Sequence, residues 1–131
     1  MKKLFIEWKH FDKRGETCDR CNNTGVNLKQ AIAELKTQLK DKNINIQLKE
    51  IKLLENQMDI SNSLFFNGIP IEDVLNGISV LRNTCNSCVD LTGNHCSCRA
   101  VQTRNAVHED IPKKMIKQAI LKSISQVSYK V

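Results

Sequence analysis

Two apolar runs of different period frame a cysteine pair, and this arrangement restricts the possible folds more than any other feature of the chain. Residues 3–11, KLFIEWKHF, are rich in aromatic and branched residues and place Leu4, Ile6 and Trp8 on one face of a strand. The polar loop DKRGETCDRC follows and carries Cys18 and Cys21. From Asn23 or Thr24, either of which can cap a helix, Leu28, Ala31, Ile32, Leu35 and Leu39 recur at helical spacing. Lys36, Lys40 and Lys42 gather toward its C-terminus, where the dipole favours cations, and Asn43 can terminate it. Residues 44–54, INIQLKEIKLL, alternate Ile44, Ile46 and Leu48 against Asn45, Gln47 and Lys49, which predicts a second strand. Strand, helix and strand in this order form a parallel unit whose crossover is almost always right-handed.

The stretch SLFFNGIPIEDVL sets Asn67-Gly68 between two apolar runs, a strong hairpin signal, with Pro70 suited to an edge strand or to its first residues. Near the end, IPKKMIKQAILKSI predicts an amphipathic helix. Pro112 fits its first turn, and Met115, Ile116, Ala119, Ile120 and Ile124 supply its buried face. Residues 76–111 show no clear period, yet hold Cys85, Cys88, His95, Cys96 and Cys98. A structureless segment of that length inside a compact domain is expected to be functional or tied down, and four thiols suffice as a tie.

A chain of 131 residues is expected to form one domain with a core that does not depend on disulfides. No apolar run has the length of a membrane span. The opening MKKLFIEWKHF imitates a signal peptide for six residues before Glu7, Lys9 and His10 break it, so the expected location is the cytoplasm. Thiols there are kept reduced, and six cysteines then point to metal binding or transient redox chemistry before structural disulfides. The net charge of +6 comes from scattered basic residues without an aromatic stripe, so nucleic-acid binding is not expected.

Cys18 and Cys21 can serve as a redox pair. At a helix N-terminus the free N–H groups and the dipole stabilise a thiolate, and the second thiol at i+3 can resolve a mixed disulfide. Lys13, Arg14 and Arg20 favour that thiolate while Glu16 and Asp19 oppose it. Metal ligation by the same pair is the alternative. Downstream, TCNSCVDLTGNHCSCRA offers Cys85 and Cys88 from a CxxC and Cys96 and Cys98 from a CxC, with seven residues between the two halves. Such a set can close a tetrahedral thiolate site, for which zinc is the default ion; one or two reversible disulfides, such as Cys96–Cys98, are the competing picture. His95 reads as a loop histidine, and His10 and His108 as solvated or satisfied ones. No phosphate-cradling, dinucleotide-binding or G-x-S-x-G motif is present, which leaves hydrolase and hydride-transfer chemistry unsupported.

The order β-(CxxC)-α-β-β-β-α, with SLFFNGIPIEDV as its hairpin, resembles the thioredoxin fold. The chain also resembles a prokaryotic thioredoxin-like family classed as a domain of unknown function, whose members share an E-T-C-x-R-C pattern and further cysteines near the C-terminus. The resemblance implies an α/β domain over residues 1–131, a central mixed sheet of about four strands, and a cysteine-rich insertion at about 76–111 before the C-terminal helix. It also implies that the insertion leaves the sheet beside Cys18 and Cys21. The chain departs from thioredoxins in Thr17 before the first cysteine, in Asp19-Arg20 between the pair, and in having no proline within Asp59-Ile60-Ser61-Asn62. The expected function is thiol–disulfide exchange at Cys18 and Cys21 with a zinc site at Cys85, Cys88, Cys96 and Cys98, and a protein thiol or disulfide as partner. The alternative is a handler of soft metals or metalloids that uses the same thiolates as ligands.

Overall fold

The computed structural model describes residues 2–13, 16–85, 93 and 97–126. Strand β1 (Lys2–Lys13) is followed by the short β2 (Glu16–Thr17) and by helix α1 (Asp19–Gln38). Strand β3 (Ile44–Leu53) leads through a 3₁₀ segment (Glu55–Ile60) to β4 (Ser63–Phe66), β5 (Ile69–Pro70) and the single-turn helix α2 (Ile71–Val74). Strands β6 (Ser79–Thr84), β7 (Ser97–Gln102) and β8 (Val107–His108) precede the last helix, α3 (Lys113–Gln126).

The main sheet is mixed. Strand β1 pairs in parallel with β3, from Lys2↔Ile44 to Phe11↔Leu53, and antiparallel with β4, through Ile6↔Phe66 and Trp8↔Leu64. Strand β5 continues beyond β4, and β2 folds back on the end of β1 through Asp12↔Thr17. Side-chain alternation then dictates the layers. Leu4, Ile6 and Trp8 are buried, as are their register neighbours Ile46, Phe66 and Leu64, and all join one core with Leu28, Leu35, Ile116 and Ile120. Helices α1 and α3 pack on each other and against β1, so this face of the sheet carries both. On the opposite face Phe5 is exposed, and Lys9 reaches over the Phe65 ring with its ammonium 4.4 Å from the centroid.

Local sequence explains the junctions. Asn43 ends the first crossover with a left-handed φ of 55°, and Asn67-Gly68 turns the hairpin with φ of 53° and 82°, the positive pair that a tight two-residue turn needs. All five expected core positions of α3 are buried, from Met115 to Ile124. In α1, Gly25 is required by packing, because a Cβ there would overlap the outer ring atoms of Trp8.

Two expectations are corrected. Helix α1 starts at Asp19 with Cys18 as its N-cap, not near Asn23 or Thr24; Thr24 is buried and spends its hydroxyl on tertiary contacts. The region after residue 76 is not without regular structure: β6, β7 and β8 form a separate three-stranded antiparallel sheet. Arg99 on β7 ties this sheet to α2 through Glu72 at 2.7 Å, and Val101 inserts into the main core.

Candidate functional site

The C-terminal end of β1, the first turn of α1 and the Thr84–Ser97 end of the β6–β7 hairpin meet in one place. There Cys18, Cys21, Cys85, Cys98 and Phe11 form a second buried cluster, separate from the main core. The structure thus brings the upstream pair together with two of the four downstream cysteines. Cys88, His95 and Cys96 lie outside the described residues. Among the described residues, no three His, Cys, Asp or Glu side chains converge closely enough to hold a metal ion.

Cys18 holds the N-cap with extended backbone (φ −66°, ψ 158°), and its carbonyl accepts from the Asn22 amide at 2.8 Å. Its side chain makes no cap hydrogen bond, but the residue sits at the N-terminus of a 20-residue helix, where the dipole favours negative charge. Cys18 keeps 4% of its surface exposed and Cys21 none, so both thiols of the pair are buried. The Cys21 thiol is pushed far above the ordinary thiol range, first by its hydrogen bond with Cys18, then by burial and by the charge a Cys18 thiolate carries. Cys85 adds to that shift, and a hydrogen bond with Ser61 opposes it. Ser61 Oγ lies 3.2 Å from Cys21 Sγ and accepts from the Phe11 amide at 2.9 Å, so the serine is fixed between strand and thiol. Cys21 is thus built to keep its proton and to share it with Cys18.

Arg20, between the cysteines, faces inward and not toward solvent. Its Nη1 donates to Asn83 Oδ1 at 2.7 Å and to the Cys98 carbonyl at 3.2 Å, and its Nη2 donates to the Thr84 carbonyl at 3.2 Å. Glu109 adds an ion pair at 3.4 Å. A single guanidinium therefore grips both strands of the hairpin and fixes the Cys85–Cys98 end against α1. Asn62 supplies a second node from a left-handed φ of 62°. Its Oδ1 accepts from Thr24 Oγ1 at 2.7 Å, and its Nδ2 donates to the Arg99 and Glu109 carbonyls at 2.8 Å each. Thr24 Oγ1 in turn accepts from the Ile111 amide at 3.0 Å.

Sequence reasoning located the cysteines but missed Arg20, Ser61 and Asn62 as organisers. The available signals were an arginine enclosed by two cysteines and a Ser-Asn pair just before a predicted strand. His10 is a satisfied buried histidine: it stacks on Trp8 with centroids 4.0 Å apart, and Nε2 meets Glu50 Oε2 at 3.0 Å. His108 lies on β8, away from the thiols in the ladder. The Asp12 side chain is only 7% exposed and pairs with Lys52 at 3.4 Å.

Residues 4–120 match the model of the family described as a domain of unknown function, DUF2703. The chain belongs to this family. It is similar to an uncharacterized protein of Archaeoglobus fulgidus, with 29% identity over 117 residues, covering 86% of this chain and 82% of that protein. No solved structure matches it. The matched span of this DUF2703 member contains all six cysteines, so the thiol cluster lies within the family's domain. No helix among the described residues is long and apolar enough to cross a membrane.

Proposed function

We propose that this DUF2703 chain is a thioredoxin-like protein of the cytoplasm that exchanges thiols with disulfides through Cys18 and Cys21. The sheet order β3-β1-β4-β5, with the cysteine pair at the N-terminus of the helix that follows β1, supports the thioredoxin-like reading. The observation that carries the chemistry is the asymmetry of the pair: an N-cap sulfur hydrogen-bonded to a fully buried thiol that holds its proton.

In the reaction, the Cys18 thiolate attacks one sulfur of a partner protein's disulfide. A Cys18–partner disulfide forms, and the partner's other sulfur leaves and takes up a proton. Cys21 then gives up its proton and attacks the Cys18 sulfur, which closes the Cys18–Cys21 disulfide and releases the second partner thiol. Two electrons pass from the pair to the partner. Ser61, donating to the Cys21 sulfur, steadies the charge that appears there in the second step.

A second reading, in which the thiolates bind zinc or another soft ion, is favoured by the gathering of four thiols in one buried cluster. Donor chemistry fits such an ion. The ligands would be drawn from these thiols together with Cys88 and Cys96, since no three described residues converge closely enough to hold an ion by themselves. Metal content and free thiols per chain, measured on anaerobically purified protein and on a Cys18→Ser/Cys21→Ser variant, separate the two readings. Thiol–disulfide exchange predicts that Cys18 and Cys21 cycle between dithiol and disulfide, and that any metal present survives in the variant. Loss of a bound metal in the variant would make both cysteines ligands and overturn the redox reading.

A further inference from the structure

We infer that Cys85 and Cys98 form a second dithiol that passes two electrons to the Cys18–Cys21 disulfide, so that four sulfurs act as one relay. The inference rests on the redox reading of Cys18 and Cys21 and extends it to thiols on a different sheet.

Three observations carry it. Both downstream thiols are buried in the cluster that holds the upstream pair, with Cys85 only 1% exposed and Cys98 not at all. Cys21 and Cys85 are each one residue from the Arg20–Thr84 hydrogen bond that crosses the α1–hairpin boundary. Arg20 fixes the end of the hairpin through the Thr84 and Cys98 carbonyls, next to each of the two cysteines or on it. Within the hairpin, Asn83 faces Cys98 in the ladder and Thr84 faces Ser97. Cys85 is therefore the diagonal neighbour of Cys98, one residue past the last paired position. Diagonal Cα atoms across an antiparallel pair stand about 7–8 Å apart, and a disulfide needs about 4.4–6.8 Å. A small shift of Cys85 at the strand end closes that gap.

The direction of exchange follows from leaving-group chemistry. In the Cys18–Cys21 disulfide, Cys18 is the better leaving group, because its thiolate is stabilised at the N-terminus of α1. The Cys85 thiolate attacks the Cys21 sulfur, forming Cys21–Cys85 and expelling the Cys18 thiolate. The Cys98 thiolate then attacks Cys85, forming Cys85–Cys98 and releasing Cys21, which takes up a proton. The upstream pair returns to the dithiol state and can reduce a second partner disulfide. An external dithiol reductant completes the cycle at Cys85, which lines the wall of a cleft of about 190 Å³ with Asp19, Arg20, Asn23 and Thr84.

The test titrates the full chain carrying Cys88→Ser and Cys96→Ser, reduced and metal-assayed under anaerobic conditions, with diamide, followed by disulfide mapping by mass spectrometry. The relay predicts two equivalents of oxidant consumed per chain, with both Cys18–Cys21 and Cys85–Cys98 found. Consumption of one equivalent, or a metal ion held by the four thiols, would overturn it. A Cys85→Ser/Cys98→Ser variant separates the two layers of the argument: uptake of one equivalent at Cys18–Cys21 upholds the redox pair by itself, whereas no uptake removes that reading also. As a second measurement, a Cys18→Ser/Cys98→Ser variant, which lacks both resolving thiols, is expected to trap a Cys21–Cys85 disulfide on mild oxidation. A Cys21 that stays reduced, or that links elsewhere, refutes the relay.

Discussion

Replacing Arg20 by methionine tests how the site is assembled. Methionine keeps most of the apolar stem and removes the charge, so the change isolates what the guanidinium does. Four interactions are lost: the bond to Asn83 Oδ1, those to the Thr84 and Cys98 carbonyls, and the ion pair with Glu109. The ion pair counts for little, because the Glu109 side chain is 63% exposed and such pairs contribute about 0–1 kcal/mol. Each hydrogen bond from a charged donor to a buried acceptor is worth about 1.5–3 kcal/mol. Against these stands the cost of burying the guanidinium, whose Nε finds no partner among the described residues; an unsatisfied buried donor costs about 1–3 kcal/mol. The balance is a net loss of about 2–8 kcal/mol for Arg20→Met, while Glu109→Gln loses less than about 1 kcal/mol. Urea denaturation under reducing conditions, followed by far-ultraviolet circular dichroism, measures both. Native-state alkylation supplies an independent readout, because a released hairpin exposes Cys85 and Cys98 by local opening well below the global transition. An Arg20→Met protein as stable as the parent, with Cys85 and Cys98 still protected, would refute the clamp.

Two further outcomes follow from the packing and from the thiol pair. Gly25→Ala should destabilise the protein by about 1–3 kcal/mol through the forced displacement of Trp8, even though alanine gains about 1 kcal/mol over glycine in a helix; a red-shifted Trp8 emission with a lower denaturation midpoint checks this. Because the folded-state pKa of Cys21 is raised, its contribution to stability is complete below the unfolded thiol value and declines as pH rises above about 8.5. The unfolded chain then releases a proton that the folded chain keeps, so the midpoint of reduced protein should fall between pH 8 and 10, at up to about 1.4 kcal/mol per pH unit. The difference between parent and Cys21→Ser curves isolates that part, and parallel curves would contradict it.

The main layers were legible because their signals are strong and local. Alternation in β1 and β3, helical spacing in α1 and α3 and the Asn67-Gly68 turn each identified an element and its buried face. The start of α1 was not legible, since its first turn, Asp19-Arg20-Cys21-Asn22, holds no ordinary hydrophobe. That turn is buried by thiols and by an arginine whose charge is satisfied from another sheet, contacts that hydropathy does not count. The β6–β7–β8 sheet escaped for a related reason: its strands are short, and Arg82, Asn83 and Arg99 interrupt any apolar alternation. Ser61 and Asn62 look like loop residues in sequence, and only the fold shows them spending their polar atoms on Cys21, Thr24 and two carbonyls. Cysteine spacing grouped Cys85 with Cys98, the thioredoxin resemblance put them beside Cys18 and Cys21, and the structure buries these four thiols in one cluster.

The most direct measurement is the pH dependence of iodoacetamide alkylation at each cysteine of the anaerobically reduced, full-length chain, read by mass spectrometry together with metal content. The account predicts that Cys18 reacts before Cys21, while Cys21 stays protected throughout the native range. Cys21 reacting as fast as Cys18, or both becoming reactive only after a chelator has removed a bound ion, would contradict it.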